Sequence, residues 1–149
     1  MILVDSSVWI DHFRNGDRAL VRLLNTGQVL AHPFVIGELA LGNLRLRDQV
    51  LGLLQDLPFA SVATEGEVLA FIDRQALFAN GALFGIGIGY VDAHLLAAAR
   101  LTPDTLIWTH DKRLQAAADR MSLAAKWPPN GRRSVARTDD PTGEAWLDR

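Results

Sequence analysis

The chain opens MILVDSS, and this stretch restricts the possible folds more than any other. Met1 to Val4 are apolar, two of them β-branched, and the run stops abruptly at Asp5 and a pair of serines. A short, uninterrupted apolar run of this kind predicts a strand buried on both faces, as found in parallel sheets. Asp5 then falls at the carboxyl end of that strand, where open α/β sheets carry their sites. Ser6 or Ser7 is suited to cap the helix that follows, in which Val8, Trp9 and Phe13 are apolar and Asp11 and Arg14 polar. For a lone aspartate a turn or capping role is the commoner one. Three later acids in matching surroundings change that balance.

Beyond the first helix the chain keeps alternating. Asp17 caps a second helix carrying Leu20, Val21, Leu23 and Leu24, which Gly27 stops. Gln28 to Ala31 reads as a second strand, and His32-Pro33 opens a helix to about Asn43, proline being tolerated in a first turn. Arg45 to Leu54 forms another helix, Leu57-Pro58 breaks it, and Phe59 to Ala63 reads as a third strand. Thr64-Glu65-Gly66-Glu67 has the spacing of a capping box, opening a helix to about Ala79. A glycine-rich loop (Gly81, Gly85, Gly87, Gly89) leads to a helix from about Tyr90 to Leu101. After the turn Thr102-Pro103-Asp104 come a strand, Leu106 to Trp108, and a helix that Asp111 starts and that runs to about Arg120. Ser122 to Ala125 is a candidate edge strand. Strands alternating with helices argue for a parallel sheet covered on both faces.

At 149 residues, 49% of them hydrophobic, the chain suits one compact domain with a sizeable core. The exception begins at Trp127. PPNGRRSVARTDDPTGEAWLDR is rich in Pro, Gly, Arg and Asp with no apolar period, which divides the chain into a domain over 1–126 and a tail over 127–149 of no assigned function. The absence of cysteine excludes disulfides and thiolate metal sites. No basic region precedes the first apolar run, and that run is too short for a signal peptide, so a cytoplasmic location is expected. The longest charge-free stretch, Gln75 to Val91, is short of the ~20 apolar residues of a membrane helix. A net charge of −2 offers no whole-molecule attraction to nucleic acid, although all but two of the 15 basic residues are arginine, which suits local phosphate contacts.

Four acids remain to be explained. Glu38 lies in FVIGELALG with Phe34, Val35 and Leu41 one helical turn away, which predicts a carboxylate on the apolar face. Asp92 lies in GYVDAHLLAAA with Leu95, Leu96 and Ala99 on its face. Asp111, in WTHDKRL, follows its strand as Asp5 follows the first. Two acids thus end parallel strands and two project from predicted buried helix faces. Gathering ionised carboxylates out of water adds mutual repulsion to a desolvation cost. A divalent cation relieves both, and an all-oxygen donor set without ligand-spaced histidines suits Mg²⁺ or Mn²⁺. Metal held by carboxylates beside an open face is the apparatus of in-line phosphodiester cleavage.

VDSSVWID, VIGELALG, GYVDAHLLAAA and WTHDKRL together resemble the four signature regions of the PIN-domain ribonucleases, most closely the VapC toxins of prokaryotic toxin–antitoxin pairs. Order, spacing and flanking apolar residues agree from about Met1 to Leu123. The resemblance implies a three-layer α/β/α fold around a mainly parallel sheet of four to five strands. It also implies Mg²⁺-dependent endoribonuclease activity, with Mn²⁺ able to substitute, neutralisation by a cognate antitoxin, and a homodimer. By position Asp5, Glu38, Asp92 and Asp111 match the family's acidic cluster, and Ser6 and Thr109 match its hydroxyl positions beside the first and fourth acids.

Other features carry less. Gly85-Ile86-Gly87-Ile88-Gly89 lacks the last glycine of a dinucleotide loop and reads better as an approach to Asp92. His12, His32, His94 and His110 lack zinc-ligand spacing and read as surface or hydrogen-bonding residues. Arg14, Arg18, Arg45, Arg47, Lys112 and Arg113 lie near predicted helix ends, where RNA phosphate contacts compete with simple solvation. Two rival functions stand beside the nuclease: a phosphotransfer domain using Asp5 as nucleophile, and a non-catalytic PIN-like interaction module. The first wants a second aspartate at the position of Ser7, or an acidic pair and a late strand-borne lysine; the second should have lost acids that are all present here.

Overall fold

The computed structural model describes residues 1–75 and 87–126. Strand β1 (Ile2–Val4) is central, flanked by β2 (Val29–Leu30) and β3 (Leu106–Trp108), all parallel, in the order β2-β1-β3. The register pairs Leu3 with Leu30 on one side and with Ile107 on the other. A central strand has no solvent face, which is why its residues are uniformly apolar rather than alternating. Leu3 and Val4 are fully buried, and each contributes roughly 2 kcal/mol of hydrophobic stabilisation on that account.

The two predicted outer strands shrink to single parallel bridges, Ala31 with Phe59 and Ile107 with Ala124. Each bridge still carries a pair of backbone hydrogen bonds. Ala31 N donates to Pro58 O and Ala60 N to Ala31 O, while Ile107 N donates to Leu123 O and Ala125 N to Ile107 O. The sheet therefore has three strands and two flanking contacts among the described residues. Pro58 cannot donate to a ladder, and Ser122 at φ 59° turns sharply just before the second bridge, so neither segment extends.

Seven helices cover this sheet among the described residues: α1 (Ser6–Asn15), α2 (Arg18–Asn25), α3 (Pro33–Ala40), α4 (Arg47–Gln55), α5 (Glu65–Gln75), α6 (Tyr90–Leu101) and α7 (Lys112–Arg120). Helix α3 packs on α1 and α4, while α5 packs on α6 and α6 on β3, giving the expected three-layer α/β/α arrangement. The local signals are realised in detail. Asp17 accepts the Leu20 N–H at 3.0 Å. Thr64 and Glu67 form a reciprocal box, Thr64 N donating to Glu67 Oε1 and Glu67 N to Thr64 Oγ1. Gly27 stops α2 at φ 70°, a conformation costly for any residue with a Cβ. Helix α6 is buried along Ala93 to Ala99, its small side chains permitting close approach to β3.

The end predicted at Asn43 differs, and the one predicted at Ala79 lies outside the described residues. Helix α3 stops at Ala40. Residues 76–86, with Gly81 and Gly85, and the tail 127–149 lie outside the described residues. No described helix is long and apolar enough to cross a membrane.

Candidate active site

Asp5 follows β1 as the N-cap residue of α1, yet its carboxylate makes no cap bond. Instead Oδ2 accepts two hydroxyls, from Thr109 at 2.8 Å and from Ser7 at 2.8 Å. The side chain is buried. The capping role anticipated for Ser6 or Ser7 is thus corrected, the N-cap position being held by Asp5. Both serines stand inside the first turn of α1, where their side chains point across the end of the sheet rather than back along the helix. Ser6 Oγ donates to Glu38 Oε1 at 3.0 Å. Ser7 Oγ also accepts the His110 N–H and lies 3.2 Å from Thr109 Oγ1. Ser7 is therefore a site residue that pattern reading passed over, because nothing in the sequence distinguishes which serine of the pair turns toward Asp5.

Asp111 follows β3 and does cap its helix: Oδ1 accepts from Arg113 N at 2.8 Å and from Leu114 N at 3.2 Å. Its own N–H donates to Thr109 Oγ1 at 2.9 Å. One threonine hydroxyl thereby links the carboxyl ends of β1 and β3. Asp111 is exposed, and so is Glu38. The apolar-face expectation for Glu38 is overturned for a local reason. Helix α3 ends at Ala40, and Leu41, expected to cover the carboxylate, is the C-cap residue and 90% exposed. Asp92 is half-buried in the first turn of α6.

Charge ties these four acids together. Burial first, then the negative charges of Asp5 and Asp111, push the Asp92 carboxyl up from the usual 3.8 to about 6; Glu38 adds a smaller push, and the Gly89 N–H pulls the other way. Three acids from three other segments thus act on the fourth, and the group runs from buried Asp5 through half-buried Asp92 to exposed Glu38 and Asp111. The four acids thus run from the buried end of β1 out to the surface. The Arg113 guanidinium is folded against Gly87, where an added Cβ would meet its Cδ and Nη1 at 3.3 Å; φ at Gly87 is +76°.

The tightest convergence of ligand-type atoms among the described residues lies beside these acids rather than among them. Oxygens of Asp11 and Asp17 and a nitrogen of His110 fall within 4.8 Å of one another. Each carboxylate is held at Oδ1, Asp17 as the cap of α2 and Asp11 by Asn15, while His110 Nε2 lies 3.7 Å from Asp11 Oδ2. The His110 side chain is exposed, and its backbone N–H donates to Ser7 Oγ.

The PIN domain family model matches residues 2–120. The chain is also 46% identical over 124 residues to proteins named ribonuclease VapC32 from two strains of Mycobacterium tuberculosis, CDC 1551 and H37Rv. Those alignments cover 83% of this chain and 95% of each relative.

Proposed function

The chain belongs to the PIN-domain family, and on that premise we propose that it is a divalent-cation-dependent endoribonuclease, the toxin of a toxin–antitoxin pair. The observation that carries this reading is that the negative charges of Asp5, Asp111 and Glu38 all act on half-buried Asp92. Burial first, and those charges second, raise its carboxyl to about 6, and a bound cation would relieve both. The ribonuclease names of the 46%-identical relatives support the choice of RNA as substrate.

The donor set fits Mg²⁺ or Mn²⁺. Among the described residues, the hydrogen bonds to Asp5, Glu38 and Asp111 fall on one oxygen of each, Oδ2, Oε1 and Oδ1, and the other would be offered to a hard cation. Asp5, Glu38, Asp92 and Asp111 would hold the ion. When bound it supplies a water nucleophile at neutral pH and offsets the charge that builds on the phosphate. The protein's own share is orientation. Thr109 and Ser7 fix the Asp5 carboxylate by charge-assisted hydrogen bonds, and Ser6 fixes Glu38. Asp92 loses its proton to solvent as pH rises through about 6, and its carboxylate would then be available to a cation. The exposure of Glu38 and Asp111 suits a single strand, whose phosphates would approach the carboxylates only with a cation between them.

The antitoxin would cover these four acids and present a basic side chain to them. Self-association into a homodimer has candidate surfaces on α4 and α5, around Leu46 and Leu69, which are 66% and 53% exposed. A cytoplasmic setting fits a cysteine-free chain that acts on cellular RNA. A monodisperse monomer at micromolar concentration would count against the dimer, and toxicity unaffected by the neighbouring gene against the antitoxin.

The functional test is cleavage of single-stranded RNA with end mapping. Mg²⁺-dependent products with 5′-phosphate and 3′-hydroxyl ends are expected. Full activity in EDTA, or a 2′,3′-cyclic phosphate, would contradict the reading.

A further inference from the structure

Among the described residues, two buried side-chain nitrogens have no hydrogen-bond partner: Nε2 of His32 and Nδ1 of His94. The rings are withdrawn from solvent, at 0% and 5% exposure. His32 Nδ1 accepts the Phe34 N–H at 3.0 Å as the cap of α3. A neutral imidazole that accepts at one nitrogen carries its proton on the other. His32 therefore offers a buried donor at Nε2, while His94 has a buried nitrogen able to accept at Nδ1. Phe34 touches both rings, its centroid 5.3 Å from that of His32 and 4.4 Å from that of His94. His94 is also near enough to act electrostatically on His32. A buried donor and a buried acceptor each carry an uncompensated desolvation cost, and pairing them removes both.

We propose that His32 Nε2–H and His94 Nδ1 are joined as a pair through a single bridging water, which accepts from the first and donates to the second, fixes α3 against α6 and so positions Glu38 and Asp92. His32 caps the helix that carries Glu38, and His94 lies two residues beyond Asp92 on α6. Neither histidine is one of the proposed cation ligands; both are positioning residues. The positioning role rests on the reading of the four acids as a cation site, whereas the pair itself does not.

Two measurements test this on the full-length protein. Long-range ¹H–¹⁵N spectra without metal should show His32 protonated at Nε2 alone and His94 protonated at Nε2 alone, with the His94 Nδ1 shift of a hydrogen-bonded acceptor. A proton on His94 Nδ1 would leave the water no acceptor there and overturn the pair. Calorimetric Mn²⁺ titration then tests the consequence. His32→Asn keeps an acceptor for the Phe34 N–H but deletes the Nε2 donor, and His94→Leu deletes the acceptor. Each should weaken Mn²⁺ binding about tenfold, as loss of outer-shell supports does. The double variant should be no weaker than either single one, and His94→Asn, which keeps an acceptor near Nδ1, should restore binding. Effects that multiply in the double variant would overturn the positioning role. A wild type that takes up no Mn²⁺ would instead overturn the cation-site reading and the positioning role with it, while the spectra still decide the pair.

Discussion

Thr109 Oγ1 donates to Asp5 Oδ2 across 2.8 Å, although 104 residues separate the two in sequence. The same oxygen receives the Asp111 N–H, so one hydroxyl fixes a buried carboxylate and the start of the next acidic segment together. Parallel pairing of β1 with β3 makes this possible, because Val4 and Trp108 lie side by side and bring the residues after them to the same edge. The site is thus a consequence of strand register.

Thr109→Val keeps the shape of the side chain but removes both roles. It should destabilise the protein by about 2 kcal/mol, the scale of a lost hydrogen bond to a charged group. Thr109→Ser should recover most of that loss. Urea unfolding of both variants checks this, and equal stability would show that the hydroxyl contributes little.

The raised Asp92 carboxyl makes metal-free stability depend on pH in a definite direction. A group harder to ionise in the folded chain favours folding while protonated. That contribution is fully present below the unfolded value near 3.8 and is lost as pH rises through about 6. Asp92→Asn lacks this component. Denaturation of both proteins in EDTA from pH 4 to pH 7 should therefore show the mutant gaining relative to wild type across that window, then no further. A difference independent of pH would mean that Asp92 titrates normally.

Removing residues 128–149 should leave soluble folding and RNA cleavage intact, since the tail has no apolar period with which to pack. Gel filtration and cleavage by the truncated chain check it. Loss of soluble protein would show that the tail packs, with Trp146 and Leu147 as its apolar contacts.

What the sequence made legible was local or periodic. The Asp17 cap, the Thr64–Glu67 box and the Asp111 cap depend on residues within a turn of one another, and each forms as read. The apolar runs at β1 and β3 likewise predicted a buried parallel pair. The missed features depend on distant segments. Glu38 is exposed because α3 stops at Ala40, with Leu41 as its C-cap and Gly42 just beyond, a stop signal that the apolar spacing of Leu41 obscured. Whether Ser6 or Ser7 meets Asp5 is decided by where α1 crosses the sheet, and the brace from His110 by the register of β3. The third strand was overread because apolar β-forming residues need not pair: Phe59 makes a single bridge, Val62 makes none, and both are exposed here.

The central claim is that Asp5, Glu38, Asp92 and Asp111 act as one cation-binding cluster rather than as four separate structural acids. Thermal melting of wild type and Asp92→Asn at pH 7.5, each in EDTA and in excess Mn²⁺, tests it most directly. Relief of repulsion should raise the mutant's melting temperature above wild type in EDTA, whereas loss of a ligand should shrink its Mn²⁺-induced rise. A mutant no more stable than wild type in EDTA, with the full wild-type response to Mn²⁺, would contradict the account.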